Sequence, residues 1–96
     1  MGGFIQIIEF SSTRIDEIRA LADELSAGQN MDLVQRATIT ADRDRPGTYL
    51  NIVEFESYDS AMDNSARPET GEFAARMAEL CDGPPTFYNL DVVHTM

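Results

Sequence analysis

Eight residues near the start of the chain, Ile5-Gln6-Ile7-Ile8-Glu9-Phe10-Ser11-Ser12, return 45 positions later as Leu50-Asn51-Ile52-Val53-Glu54-Phe55-Glu56-Ser57, alike at seven of the eight places. A second pair follows the same logic. Glu17-Ile18-Arg19-Ala20-Leu21-Ala22-Asp23-Glu24-Leu25 is echoed by Glu72-Phe73-Ala74-Ala75-Arg76-Met77-Ala78-Glu79-Leu80. The first pair alternates as strands do, and the second carries apolar residues at helical spacing. The chain therefore reads as two strand-helix halves, each of which must bury one face against the other.

The remaining segments complete this pattern. Thr13, with Asp16 three residues on, is placed to cap a helix whose stripe is Ile15, Ile18, Leu21, Ala22 and Leu25, with Gly28 as its left-handed stop. Leu33 to Ala41 is a weaker, edge-like strand. Asp42-Arg43-Asp44-Arg45-Pro46-Gly47 reads as the turn of a hairpin into the strand Tyr49 to Glu56. Ser57 can cap a short helix over Tyr58 to Asn64, and Pro68 breaks or restarts it before a second stripe of Phe73, Met77, Leu80 and Cys81. Gly83-Pro84-Pro85 stops that helix, and Thr86 to Val93 supplies the last strand. The order βαββαβ with right-handed crossovers predicts a four-stranded antiparallel sheet, with strands one and three central and both helices on one face. That is a ferredoxin-like α+β fold, expected here as a single domain over residues 1–96.

At 96 residues a chain buries roughly 60 to 70% of its unfolded surface, enough for a modest core. The formal charge of −10 repels phosphate, so neither nucleic acid nor an anionic membrane is an expected partner. All seven basic residues are arginine, as in products of GC-rich genomes. Cys81 is the lone cysteine, which leaves no internal disulfide and no thiolate cage for a metal. No signal-like or membrane-spanning run is apparent, and the expected compartment is the cytoplasm.

Two helices leave one sheet face open. A buried amide without a partner costs about 1 to 3 kcal/mol, which argues for placing Gln6 and Asn51 on that open face and Ile5, Ile7, Leu50 and Ile52 beneath the helices. The open face would then carry Phe4, Ile8, Phe10, Tyr49, Val53 and Phe55, too much apolar surface to leave in water. The expectation is an isologous homodimer through that face, with a pocket between sheet, helices and the partner's edge. Gln6 and Asn51 each offer a donor and an acceptor to a ligand or to the dimer seam. Glu9 and Glu54 would make a base only if opposed. Pairing centred on Ile7 and Ile52 would separate them by about 14 Å. His94, near the end, is the only histidine, so no metal site is expected.

Glu54-Phe55-Glu56-Ser57, followed by Ala61, Asn64-Ser65, Pro68-Glu69-Thr70 and Gly83-Pro84-Pro85-Thr86-Phe87, resembles small actinobacterial proteins of the dimeric α/β-barrel superfamily, in its antibiotic-biosynthesis-monooxygenase-like branch. The resemblance implies a cofactor-free protein that holds a phenolic molecule among aromatic and amide side chains, here Tyr49, Asn51, Phe55 and Asn64; Gln6, placed on the open face by the cost of a buried amide, joins them as a pocket candidate. Catalytic relatives often carry a tryptophan and a histidine where this chain has Phe55 and Asn64. Three readings stand: a binder of a small aromatic or polyketide-like molecule, a cofactor-independent monooxygenase acting on a phenol, and a non-catalytic accessory module whose pocket its own side chains fill.

Overall fold

A computed structural model describes residues 3–28 and 33–96. Its elements are β1 (Phe4–Ser11), α1 (Ile15–Gly28), β2 (Val34–Ala41), β3 (Thr48–Phe55), α2 (Tyr58–Ser65), α3 (Pro68–Leu80) and β4 (Thr86–Asp91). The four strands form one antiparallel sheet in the order β2-β3-β1-β4, so the two echoed strands are central neighbours as the repeat predicts. Their register is centred on Ile7 opposite Ile52.

Local chemistry accounts for the turns. The run from Asp42 to Gly47 closes the β2-β3 hairpin, with Asp42 accepting from the Asp44 amide at 2.9 Å and Gly47 at a φ of 86°, a conformation that favours glycine. Ser57 caps α2 by accepting from the Ser60 amide at 3.1 Å, and Pro68 restarts the helix as the first residues of α3. The first helix differs from expectation by one residue. Its first acceptor is the Arg14 carbonyl, which receives both the Glu17 and Ile18 amides, so Thr13 is not the cap. The hydroxyl of Ser12 instead accepts from the Arg14 amide at 2.9 Å and donates to the Leu80 carbonyl at 2.6 Å, tying the start of α1 to the end of α3. The side chain of Leu25, and the stop expected after Gly28, lie outside the described residues.

The helices cover the face opposite to the one expected. Phe4, Val53 and Phe55 pack with Ala61 at one end of the sheet, and Phe10 packs with Ile18, Leu21 and Met77 at the other. Phe10 is 2% exposed and Ile18 fully buried. Because side chains alternate along a strand, Gln6, Ile8, Tyr49 and Asn51 lie on this covered face as well. Cross-strand rows on the helix side run Val34-Phe55-Phe4-Asp91, Ala37-Val53-Gln6-Asn89 and Ile39-Asn51-Ile8-Phe87. The register shift between Val34 and Arg36 brings β2 into step with these rows. Burying large aromatic side chains contributes about 1.5 to 3 kcal/mol each, and several of them outweigh one strained amide.

Ile5, Ile7, Leu50 and Ile52 therefore occupy the uncovered face and are only half-buried. Its rows are Arg36-Glu54-Ile5-Leu90, Thr38-Ile52-Ile7-Tyr88 and Thr40-Leu50-Glu9-Thr86. Apolar side chains hold its centre, and the charged Arg36, Glu54 and Glu9 lie in its outer rows. Glu9 and Glu54 are not opposed: Glu9 faces Leu50, and Glu54 faces Ile5. Glu9 accepts from the Tyr88 hydroxyl at 3.0 Å and from Arg45 at 3.2 Å, while Glu54 lies 3.9 Å from Arg36. Arg45 also bonds Asp42 at 2.8 Å, and together with the Asp44 amide it holds the Asp42 carboxyl below its ordinary range.

Truncating Phe10 to alanine should cost about 3 to 5 kcal/mol in denaturant unfolding, while Thr38→Ala on the uncovered face should stay within about 0.5 kcal/mol. Similar costs for the two would contradict this placement of the core. Accepting a proton-donated bond, the Glu9 carboxylate raises the Tyr88 phenol above its usual value, chiefly through that bond and then through its charge. A raised phenol favours the neutral form, so its contribution to stability is complete below about pH 10 and disappears as pH rises through the folded value. In Glu9→Gln the ultraviolet phenolate titration should lose its highest-pH component. An unchanged titration would show that the two groups are not coupled.

Candidate functional site

The two core clusters do not meet over the middle of the sheet. Above the rows containing Gln6, Asn51 and Val53 lies a cavity of about 580 Å³, bounded by α1, the end of α2 and one side of α3. Small side chains account for it. Ala22 on α1, Ala37 on β2 and Gly71, Ala74 and Ala78 on α3 line the space, and the α3 positions recur at helical spacing along one stripe. Had these been leucines, the helical layer would close on the sheet. Buried Val53, Phe55 and Met77 form the apolar floor and walls, while Arg19, Asp23, Glu69 and Phe87 are exposed at the rim.

Asn51 sits on the floor, cross-strand from Ile8 and Ile39. It is 8% exposed, and its Oδ1 is buried without a hydrogen-bond partner. Most native side-chain acceptors at this depth are satisfied, and leaving one unpaired costs about 1 to 3 kcal/mol. The neighbouring Gln6 donates from Nε2 to the Asn89 Oδ1 at 3.1 Å, which orients the second amide of the cavity.

The sequence candidates divide accordingly. Gln6, Asn51, Phe55 and Asn64 all line the cavity, the first three from the sheet and Asn64 from α2. Tyr49 does not. Its ring stacks on Phe10 with centroids 5.7 Å apart, in the core beyond the cavity. Phe55 is braced from behind by Phe4, whose centroid is 6.4 Å away. The residues that sequence reasoning missed are the small ones, and the signal was present: the helical recurrence of Gly71, Ala74 and Ala78 marks a stripe too slight to fill the space above a sheet.

The ionisable groups offer little acid-base chemistry on the floor. Cys81 lines the cavity and packs against the core, and burial, with Asp82 adding to it, pushes its thiol up, so it stays protonated near neutral pH. Glu9 and Glu54 lie on the opposite face of the sheet, and His94 is exposed in the segment after β4. Among the described residues no three of His, Cys, Asp and Glu are grouped to hold a metal, and no helix is long and apolar enough to cross a membrane. What the floor provides is a shaped apolar space with two amides, Gln6 held in direction by Asn89 and Asn51 with an unpartnered acceptor.

No protein-family model and no curated protein sequence matches the chain. Solved structures do. SnoaB, a cofactor-independent oxygenase from Streptomyces nogalater, superposes with a TM-score of 0.80 at 17% identity, over 100% of this chain and 98% of its own. A protein from Bordetella bronchiseptica, provisionally named an antibiotic biosynthesis monooxygenase, gives 0.81 at 16% identity over 98% and 100% of the two chains. A conserved protein from Methanosarcina mazei Go1 gives 0.81 at 11% identity over 94% and 92%. At such identities the likeness concerns architecture, and it extends over almost the whole chain. The four-stranded antiparallel sheet layered by helices on one face is the ferredoxin-like α+β fold of the antibiotic-biosynthesis-monooxygenase-like proteins.

Proposed function

We propose that this chain binds a small hydroxylated aromatic molecule in the cavity between sheet and helices, as a homodimer and without a cofactor. The observation that carries the reading is the Asn51 Oδ1, a buried acceptor with nothing to accept from, on the floor of an apolar space large enough for a drug-sized ligand. A phenol O–H supplies the missing donor, and its ring meets Val53, Phe55 and Met77. Gln6, held by Asn89, and Asn64 supply further polar contacts. The cavity argues against an accessory module filled by its own side chains: Phe4, Phe10 and Phe55 fill the two ends and leave the middle empty.

The likeness to a cofactor-independent oxygenase favours a second reading, in which dioxygen oxidises the bound phenol to a quinone and is itself reduced, one of its oxygen atoms leaving as water. The part these residues could play in it is electrostatic. Once the phenol loses its proton the Asn51 Oδ1 no longer suits it, and the donors to the oxyanion are amide N–H groups, the second Nε2 hydrogen of Gln6 or the Asn51 NH2 after rotation of its amide. The proton itself would have to leave through the ligand or water, because among the described residues the floor carries no carboxylate or imidazole.

The homodimer rests on the uncovered face. Ile5, Ile7, Leu50 and Ile52, flanked by Leu90 and Tyr88, make a contiguous apolar centre with Glu9, Arg36 and Glu54 in the outer rows, a composition suited to an isologous two-fold contact. Sedimentation should find a dimer for the unaltered chain and a monomer for Ile7→Glu. A monomeric unaltered chain at micromolar concentration would refute the dimer.

Asn51→Leu separates binding from folding. Removing an unpaired buried amide should leave the fold as stable or raise its stability by about 1 kcal/mol, while ligand binding falls. In the unaltered protein a phenol at 100 times its dissociation constant should add about 2.7 kcal/mol in a thermal shift. A broad panel of phenols that gives no shift, or an equal shift in Asn51→Leu, would overturn the reading.

A further inference from the structure

We infer that Asn89, on the edge strand and outside the cavity, is a positioning residue: by accepting from Gln6 Nε2 it turns the Gln6 carbonyl towards Asn51, so that the site selects a ligand with a second hydroxyl beside the one that Asn51 takes. The inference rests on the binding role proposed for the cavity and adds which polar group the second floor amide reads.

Strand pairing sets the geometry. Gln6 on β1 lies opposite Val53 on β3 to one side and Asn89 on β4 to the other. Along its own strand Phe4 and Ile8 flank it on the same face, so its nearest neighbours other than Asn89 are apolar. The 3.1 Å bond to Asn89 is the one side-chain hydrogen bond Gln6 makes among the described residues. Beside Asn89 on this face, Phe87 has no side-chain acceptor, and Asp91 stands a row further on, opposite Phe4. Asn89 is exposed and does not line the cavity, whereas Gln6 is half-buried and does.

A primary amide carries its oxygen and its nitrogen on opposite sides of one carbon. With Nε2 drawn towards β4, the Gln6 Oε1 faces β3. Asn51 stands there, the diagonal neighbour of Gln6 across the β1-β3 pair, at a Cα separation of about 7 to 8 Å. Two carbonyl oxygens therefore lie near one another on the floor, and both accept. A ligand hydroxyl suits either of them, while a ligand carbonyl set against Gln6 on this side meets another acceptor and stays unpaired. Without Asn89 the Gln6 amide could turn over at little cost in shape, and hydroxyl and carbonyl would then serve alike. What Asn89 supplies is direction.

Hydroquinone and para-hydroxybenzaldehyde, titrated by calorimetry under nitrogen into the full chain at about pH 6, where both phenols are neutral, differ in the group set against Gln6. Asn89→Leu should lower the ratio of hydroquinone to aldehyde affinity about three- to tenfold, the worth of one hydrogen bond, and Asn89→Asp, which keeps the acceptor, should keep the ratio. Position 89 is exposed, so both variants should fold. Without any ligand, the Gln6 side-chain amide protons should lose their hydrogen-bonded NMR shift in Asn89→Leu and retain it in Asn89→Asp. An unchanged ratio or unmoved amide protons in Asn89→Leu, or an aspartate variant that behaves as the leucine one, would overturn the role of Asn89 and leave the cavity reading standing. Failure of both phenols to bind the unaltered chain would overturn the cavity reading and the selectivity with it.

Discussion

The pleat of the two central strands ties the amides to the aromatics. Along β1 and β3 side chains alternate, so Gln6 and Asn51 must share a face with Phe4, Phe10 and Phe55 whichever face the helices cover. The chain cannot bury the rings and expose the amides. The resolution is local: the helices seal the two ends of the sheet, where the rings lie, and stand off from its middle, where the amides lie. Small residues on α3 make that separation possible, and the cavity is its consequence.

The other face inherits the remaining alternation. Ile5, Ile7, Leu50 and Ile52 are left half-exposed with Leu90 beside them, a surface that a second copy of the chain would shield. The Glu9-Tyr88-Arg45 network borders it and links β1, β4 and the β2-β3 hairpin. One alternation thus produces a lined cavity on one side and an association surface on the other.

Much of this was legible in the residues. The echoed segments pointed to the central pair of strands, and the hairpin at Gly47, the Ser57 cap and the break at Pro68 were readable because each depends on short-range chemistry; the register, centred on Ile7 and Ile52, was left open by the sequence and is set by the folded sheet. The covered face was not legible either. Weighing the amides alone placed them in the open, at about 1 to 3 kcal/mol, whereas the larger set of aromatic side chains on the same face carried more free energy when buried. Gln6, Asn51, Phe55 and Asn64, named from the sequence as amides and rings on neighbouring elements, come to line one cavity. Tyr49 was not separable from them, because its stacking on Phe10 depends on where α1 and α3 converge.

The account turns on ligand entering between sheet and helices over Asn51. Side-chain amide and methyl NMR spectra recorded during titration with a phenol test this most directly. The Asn51 and Gln6 amide resonances should move together with the Met77 methyl, while those of Leu50 and Ile52 on the other face stay in place. Movement of Leu50 and Ile52 with the cavity amides unmoved would put the ligand on the wrong side of the sheet and contradict the account.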